Sequence, residues 1–236
     1  MLMKDLLVYA EGNLSSLLYD WRDTNYLMKI LPEFAVMDEM VHNPLYHPEG
    51  MTKDSYGTAL DHIIESVRVA DELSYSPEEK ICVLFHDIGK CKTPSGYTLE
   101  RPFHNFYGHE NVGLKVLDCM RGRLDISDDL AYKMCHCIRY HMHVHKVREM
   151  RVFKVQNLVR HPLWELLKKV SYCDDASRGS AFDAEIFKKN IEYAEKFIFE
   201  SYFQRFFSAV TILCCEHGFI SFAPQQFHIF RKFITL

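Results

Sequence analysis

Apolar residues recur at the spacing of α-helices along most of the chain, and the alternating patterns typical of strands are hard to find. The segment from Thr58 to about Leu73 contains a stripe formed by Ala59, Ile63, Val67 and Ala70. His62 lies on the edge of that stripe, so the pattern predicts a helix that places this histidine near the core. The chain as a whole is predicted to be all-α.

The clearest helix start is at Ser76. Ser76 is a suitable N-cap, Pro77 occupies the first helical position, and Glu79 follows three residues after the cap. The apolar run that follows leads into His86-Asp87-Ile88-Gly89-Lys90, where Gly89 is placed to end the helix. A histidine and an aspartate are therefore predicted to emerge at the C-terminal end of an apolar helix.

A further helix is predicted to begin at His161-Pro162. Its apolar stripe consists of Leu163, Leu166, Leu167 and Val170. One more step of four residues reaches Asp174 and not Asp175, because side chains four apart share a helix face. Asp174 is thus the aspartate expected to face inward, and Asp175 remains its rival.

The rest of the chain gives less local detail. Three other helices are predicted, over Ser15 to Ile30, Gly108 to Met120, and Ser127 to about His141. The Phe-rich segment from Phe182 to Leu236 is predicted to be helical up to Cys215 and to serve packing. No repeat, low-complexity tract or Gly/Ser-rich linker divides the chain. We therefore expect one domain over residues 1–236, with a core of about 55–180 and helical extensions over 1–54 and 181–236.

Composition narrows the class of protein without naming a function. A chain of 236 residues that is 48% hydrophobic can bury a sizeable core. The formal net charge of -4 gives no global basic field for nucleic-acid phosphates, although it does not exclude an RNA or DNA substrate. The eight cysteines include no Cys-x-x-Cys pair, so we expect reduced core thiols. No long apolar run or secretory signal is found, and a soluble, cytoplasmic protein without a membrane partner is expected.

Four polar residues border or interrupt the predicted apolar stripes, namely His62, His86, Asp87 and Asp174. An unpaired carboxylate in such a position would cost several kcal/mol. A divalent metal ion held by two imidazoles and two carboxylates would satisfy all four groups. Mixed nitrogen and oxygen ligands suit manganese, nickel, cobalt, magnesium, zinc or iron, and do not select among them.

The order of these residues resembles the H…HD…D pattern of the HD phosphohydrolase superfamily. Over about residues 31 to 180, the chain is most similar to the HD region of bacterial CCA-adding tRNA nucleotidyltransferases. The similar segments are Tyr46-His47-Pro48-Glu49-Gly50, Phe85-His86-Asp87-Ile88-Gly89-Lys90, Thr93-Pro94, Gly108-His109-Glu110 and Tyr140-His141-x-His143-x-His145. No Gly-Gly/Asp-x-Asp polymerase motif is found, so the resemblance is to the hydrolytic region alone.

The resemblance implies an all-α, HD-domain helical bundle that hydrolyses a nucleotide or RNA phosphoester, as a phosphomonoesterase or a 2′,3′-cyclic phosphodiesterase. Asp87 would bind the metal and orient the attacking water. Lys90 would neutralise phosphate charge, and Arg178 is a second candidate for contact with the substrate.

Some HD proteins add one histidine from each of two intervening helices and bind two metals, and the spacing of His109 and His141 permits this. If a single metal is bound, these two histidines are candidates for contact with the substrate. His104 is expected to touch substrate rather than metal.

Two other functions stay open at this point. The first is a sensor that keeps the metal and binds a nucleotide or RNA without turnover. The second is a di-iron oxygenase of the same fold. The sequence does not decide the exact substrate, the metal or the oligomeric state.

Overall fold

The computed structural model describes residues 1–51 and 56–198. The N-terminal part contains four helices, α1 Met3–Ala10, α2 Leu14–Asp23, α3 Leu27–Ile30 and α4 Pro32–Ala35, followed by a 3-10 turn, Val36–Glu39. The helix predicted from Ser15 to Ile30 is therefore broken into α2 and α3. The break lies at Asn25, whose φ of 56° is in the left-handed region that ends a right-handed helix.

The remaining helices follow after an irregular segment. They are α5 Ala59–Glu72, α6 Pro77–Phe85, α7 His109–Leu124, α8 Asp128–His145, α9 Val152–Val159, α10 Trp164–Ala176 and α11, residues 184–198. Short 3-10 turns lie at Ile88–Lys92, Val147–Glu149 and Gly179–Ala181. Within the described residues there is no strand, only isolated bridges that pair Val41 with Thr58 and Ser95 with Asn105. The predicted all-α class is confirmed.

Two capping boxes fix the starts of the central helices. The backbone N–H of Thr58 donates to the carboxylate of Asp61 over 2.8 Å, and the Thr58 hydroxyl accepts from the Asp61 N–H. The backbone N–H of Ser76 donates to Glu79 over 2.9 Å, as the sequence predicted for α6. Because α5 starts at Ala59, His62 lies in its first turn, on the side that packs against the core.

The main core is built where α5, α6, α8 and α10 pack together, with the N-terminal helices against α5 and α6. Phe34 and Phe85 meet edge to face inside it, with ring centroids 5.0 Å apart. A smaller cluster joins α8 to the helices that follow it and includes Val144, Trp164 and Phe197. The ends of α5, α6 and α10 therefore converge on one buried region.

Gly89 has a different role from the predicted one. The helix ends earlier, at Phe85, and Gly89 lies in the following 3-10 turn. A Cβ on Gly89 would lie 2.0 Å from the carbonyl oxygen of His109 and 2.6 Å from the amide nitrogen of Gly113. Gly89 therefore permits a close approach between the Ile88–Lys92 turn and the start of α7.

Two other expectations concern the cysteines and the C-terminal segment. The cysteines in the described part of the chain are free, and Cys82, Cys91, Cys137 and Cys173 are buried. Residues 184–198 are helical, whereas the rest of the predicted helix up to Cys215 lies outside the described residues. Among the helices described, none combines the length and the apolar character needed to cross a membrane.

Candidate metal centre

The four residues singled out from the sequence meet in one buried place. His62 comes from the first turn of α5, His86 and Asp87 from the end of α6, and Asp174 from the last turn of α10. Each is at most 2% exposed. His62 Nε2 lies 3.2 Å from Asp174 Oδ1 and 3.4 Å from Asp87 Oδ2, and His86 Nε2 lies 3.2 Å from Asp87 Oδ2.

Several atoms of this group are buried without a hydrogen-bond partner. They are His62 Nε2, His86 Nε2 and Asp87 Oδ1. A buried polar atom left unpaired costs about 1–3 kcal/mol, and more when it is charged. A cation beside Asp87 Oδ2 would satisfy the two imidazole nitrogens, and Asp87 Oδ1 points to a second set of donors, so the donor set fits a divalent metal ion.

The Nδ1 atoms of His62 and His86 already have hydrogen-bond partners. His86 Nδ1 donates to the carbonyl oxygen of Val83 over 2.6 Å. His62 Nδ1 donates to the Glu49 carboxylate over 2.7 Å. A hydrogen on Nδ1 leaves Nε2 to face the centre, which is the tautomer needed by an Nε2 metal ligand.

A second group of donors shares Asp87. His109 Nε2 lies 3.0 Å and His141 Nε2 lies 3.4 Å from Asp87 Oδ1. Both Nδ1 atoms are close to backbone carbonyl oxygens, of Phe106 at 2.8 Å and of Ile138 at 2.9 Å. With Nδ1 donating, the two Nε2 lone pairs would face each other across 3.2 Å, an arrangement that a cation or a proton between them stabilises. The donors expected for a second metal are thus in place.

Asp87 stands between the two groups and is held as a carboxylate. Its Oδ2 faces His62 and His86, and its Oδ1 faces the second pair of imidazoles. Burial alone would raise the pKa of this carboxyl, but the Lys90 ammonium and the neighbouring imidazoles lower it well below its ordinary value. An ionised carboxylate with one oxygen toward each group can bridge two cations.

Asp174, and not Asp175, faces the centre. Burial would raise the pKa of Asp174, but Arg178 and His145 lower it well below its ordinary value. His145 spans the two aspartates, with Nε2 2.8 Å from Asp174 Oδ2 and Nδ1 2.9 Å from Asp175 Oδ2. The helix register predicted from the sequence therefore corresponds to the observed direction of Asp174, although Asp175 lies close behind it.

His145 is a residue of the site that the sequence reasoning missed. It lies four residues after His141, on the same face of α8, because this helix continues to His145 rather than ending near His141. The i, i+4 spacing of the two histidines was a signal that could have found it. Its side chain is only 14% exposed.

Lys90 lies against Asp87, with Nζ 2.5 Å from Oδ2. It is buried and is also 3.3 Å from His42 Nε2, and the ring of Phe106 is 5.5 Å away. The structure thus places an ammonium next to the carboxylate between the donor groups. A phosphate bound there would meet this positive charge.

The other two residues expected to contact substrate, Arg178 and His104, are both half-buried against neighbouring side chains. The Arg178 guanidinium is 3.2 Å from Asp174 and 3.4 Å from Asp175, so in this structure it pairs with the aspartates. The ring of His104 lies against those of Tyr97 and Phe106, with centroids 5.1 and 6.1 Å away. Contact of either residue with a substrate stays a prediction.

A third group of possible ligands, His42, His47 and Glu49, lies beside His62. Lys90 donates to His42 Nε2, so the hydrogen of neutral His42 is on Nδ1 and neither nitrogen has a free lone pair for an ion. His47 Nδ1 donates to Glu49 over 2.8 Å. His42 Nδ1 and Glu49 Oε2 are buried without a hydrogen-bond partner, so hydrogen bonds satisfy this group only in part.

Comparison with known proteins matches the part of the chain that contains the four residues of the centre. The family model described as "HD domain" matches residues 59–179, just over half of the chain. A multifunctional CCA protein of Halorhodospira halophila is 29% identical over 165 residues, which cover 67% of this chain and 37% of that protein. One of Legionella pneumophila strain Lens is 28% identical, with 60% and 32% covered, and one of Hahella chejuensis is 30% identical, with 59% and 30% covered.

The chain spans about a third of the length of the curated relatives it matches. The resemblance to the HD region of CCA-adding enzymes is confirmed by these matches. HD domains bind divalent metals and form a superfamily of metal-dependent hydrolases. The matched segment carries His62, His86, Asp87 and Asp174, the residues that converge in the structure, and the chain belongs to the HD domain family.

Proposed function

We propose that this chain is a metal-dependent phosphohydrolase acting on a nucleotide or RNA phosphoester, as a phosphomonoesterase or a 2′,3′-cyclic phosphodiesterase. The observation that carries the proposal is Asp87, an ionised and buried carboxylate with a pair of imidazoles at each oxygen and the Lys90 ammonium beside it. This combination pairs a site for cations with a positive charge suited to phosphate. A nucleotide or RNA substrate is supported by the similarity to multifunctional CCA proteins, of which this chain matches about a third.

The residues have separate tasks in this proposal. His62, His86, Asp87 and Asp174 would hold the first ion, and His109 and His141 with Asp87 a second. A divalent cation supplies two things here, polarisation of a phosphoryl oxygen and a lower pKa of a bound water. Manganese, nickel, cobalt, magnesium, zinc and iron all suit this donor set.

Asp87 and Lys90 are the proposed catalytic residues. The Asp87 carboxylate accepts a hydrogen bond from the attacking water and orients it for in-line attack. The Lys90 ammonium would neutralise charge on a phosphate bound at this site. Arg178 and His104 are proposed to contact the substrate at the edges of the site, as are His109 and His141 if only one ion is bound.

The test is hydrolysis of bis-p-nitrophenyl phosphate, 2′,3′-cAMP and a set of dNTPs by metal-stripped protein to which each of the six metals is returned. Asp87→Asn keeps the shape of the side chain and removes its charge, so metal-dependent turnover should fall at least about 100-fold. Asp129→Asn is a matched control, because Asp129 lies on the surface, where it pairs with Lys133. Its turnover should equal that of the wild type.

Two other results would redirect the assignment. Binding of a nucleotide with no turnover in any metal would favour a metal-containing sensor. Oxygen-dependent turnover of an iron-loaded protein would favour a di-iron oxygenase, for which the donors around Asp87 also suffice. We favour phosphate hydrolysis over these two alternatives because the positive charge of Lys90 lies beside Asp87. The cytoplasmic location expected from the sequence stays a prediction.

A further inference from the structure

Glu49 lies outside the segment matched by the HD domain model, which begins at residue 59. Its side chain nevertheless contacts His62, on the ring nitrogen that faces away from the centre. Glu49 Oε1 accepts a hydrogen bond from His62 Nδ1 over 2.7 Å, and the two side chains are 3% and 0% exposed. The contact is thus buried and links the segment before α5 to a proposed metal ligand.

This contact differs from those of the other imidazoles at the centre. The Nδ1 atoms of His86, His109 and His141 are close to backbone carbonyl oxygens in their own turns. Among these four imidazoles as the structure describes them, His62 is the one whose Nδ1 hydrogen-bonds to a carboxylate, since the Glu110 carboxylate lies 3.9 Å from His109 Nδ1. A carboxylate fixes the tautomer as a carbonyl does, and its negative charge also raises the basicity of the opposite nitrogen.

We infer that Glu49 is a positioning residue of the metal centre. It holds the hydrogen of His62 on Nδ1, aims Nε2 at the ion and strengthens that nitrogen as a ligand. The inference rests on the proposed metal site and goes beyond it, because it assigns a role to a residue that does not touch the ion or the substrate.

The backbone around Glu49 is built to hold it in place. A Cβ on Gly57 would lie 1.8 Å from the Glu49 carbonyl oxygen, so the two segments touch there. Gly57 in turn accepts from the backbone N–H of His42 over 2.9 Å. Gly50 has a φ of 71°, and a Cβ there would lie 2.6 Å from the Asp61 carboxylate carbon. These contacts fix Glu49 against the start of α5, three residues before His62.

Side-chain contacts add to this support. His47 Nδ1 donates to the same Glu49 oxygen over 2.8 Å, and the His47 ring lies edge to face against that of His62, with centroids 4.7 Å apart. The Ser177 hydroxyl donates to the Asp174 carbonyl oxygen over 2.7 Å, and its oxygen lies 3.1 Å from His62 Nδ1. Ser177 is thus a secondary acceptor that cannot supply the negative charge of Glu49.

The test is the affinity of the metal-stripped protein for Co²⁺ and Mn²⁺, measured without substrate, together with the visible spectrum of bound Co²⁺. Glu49→Gln keeps an acceptor and removes the charge, and should weaken binding of the first ion about tenfold. Glu49→Ala removes both and should weaken it up to about 100-fold, with a changed Co²⁺ spectrum. If Glu49→Ala fails to fold, Glu49→Gln, which has the same shape, carries the test.

Glu65→Gln is the matched control. This substitution also replaces a glutamate by glutamine, but Glu65 lies on α5 and contacts Tyr19 and Arg68 instead of His62. Its metal affinity should equal that of the wild type. The inference is overturned if Glu49→Gln binds both ions within twofold of the wild type, or if Glu65→Gln loses as much affinity.

The outcome is independent of the proposed reaction. An unchanged affinity in the Glu49 variants would overturn the positioning role and leave phosphoester turnover by the wild type intact. A wild type that binds the ions without hydrolysing any ester would overturn the proposed function and leave the effect of Glu49 standing.

Discussion

At the scale of single residues, adjacent aspartates at the end of α10 have different surroundings. Asp174 is 2% exposed and has Oδ1 3.2 Å from His62 Nε2. Asp175 is the more exposed of the two, and its carboxylate pairs with His145 and Arg178. Two neighbouring positions of α10 therefore have different roles, since Asp174 is a proposed metal ligand and Asp175 supports His145.

Replacement of each aspartate by asparagine tests this difference. Asp174→Asn should weaken metal binding and phosphoester turnover more than about 100-fold, because it removes a charged ligand. Asp175→Asn should cost about tenfold or less, since it alters only the support of His145. Metal content and turnover of the two purified variants are the measurements. Equal losses in both variants would contradict the assignment of Asp174.

The protonation of His62 predicts how metal binding depends on pH. Burial and Lys90 lower the pKa of His62, but three nearby carboxylates outweigh them and raise it to about 10 in the metal-free protein. His62 is therefore protonated at neutral pH, and an ion must displace that proton. Below the raised pKa, the apparent affinity should fall about tenfold for each unit by which the pH is lowered.

Calorimetric titration in buffers of different ionisation enthalpy measures this release directly. At pH 7.5 about one proton from His62 should leave for each first ion bound. An affinity that is the same at pH 6.5 and pH 8.5 would show that His62 is not the ligand that exchanges a proton for the metal.

At the scale of elements, the closeness of α7 to the Ile88–Lys92 turn decides whether His109 reaches Asp87. Gly89 is the point of contact, because its missing Cβ leaves room for the carbonyl oxygen of His109. Any larger residue must push the start of α7 outward. His109 Nε2, now 3.0 Å from Asp87 Oδ1, would move with it.

We therefore expect Gly89→Ala to destabilise the protein by about 1–3 kcal/mol, as overpacked sites do. It should also weaken binding of the second ion more than the first. Gly122→Ala, on α7, is the control, since a Cβ there meets nothing within 4 Å and an alanine should favour the helix by about 0.5–1 kcal/mol. Urea unfolding and metal stoichiometry are the measurements. A Gly89→Ala protein as stable as the wild type would contradict the close approach.

At the scale of the whole molecule, the N-terminal helices are tied to the helices of the centre by buried charges. The Asp71 carboxylate of α5 accepts from the backbone N–H of Ser15 over 2.8 Å at the start of α2. The same carboxylate lies 2.8 Å from the Lys80 ammonium of α6, which also donates to the Gly12 carbonyl oxygen. One network thus joins α2, α5 and α6. Whether residues 1–236 form one domain, as expected from the sequence, stays a prediction.

Asp71→Ala should lower the free energy of unfolding by about 3–5 kcal/mol, because it leaves Lys80 buried without its charged partner. Glu72→Ala, the next position along α5, is the control. Glu72 is 62% exposed in an ion pair with Arg68, so its loss should cost less than about 1 kcal/mol. Urea denaturation of the two variants is the comparison. Similar losses in both would mean that the N-terminal helices are not held through Asp71.

The features that the sequence alone determined are those with strong local signals. The capping residues Ser76 and Glu79 predicted the start of α6, because caps act within one turn of helix. Helix register distinguished Asp174 from Asp175, because side chains four residues apart share a helix face. The order of His62, His86-Asp87 and Asp174 predicted that these residues meet, since each interrupts an apolar face that must be buried. The all-α class followed from the same periodicity.

Tertiary structure alone decided the contacts between segments far apart in the chain. No local pattern places Glu49 next to His62 Nδ1. The spacing of His141 and His145 puts both on one face of α8, but only the packing of α8 against α10 brings His145 to the two aspartates. The true role of Gly89 was also hidden, since its neighbour lies on another helix, at His109. Periodicity and capping describe one element at a time, whereas the support of the centre arises where several elements meet.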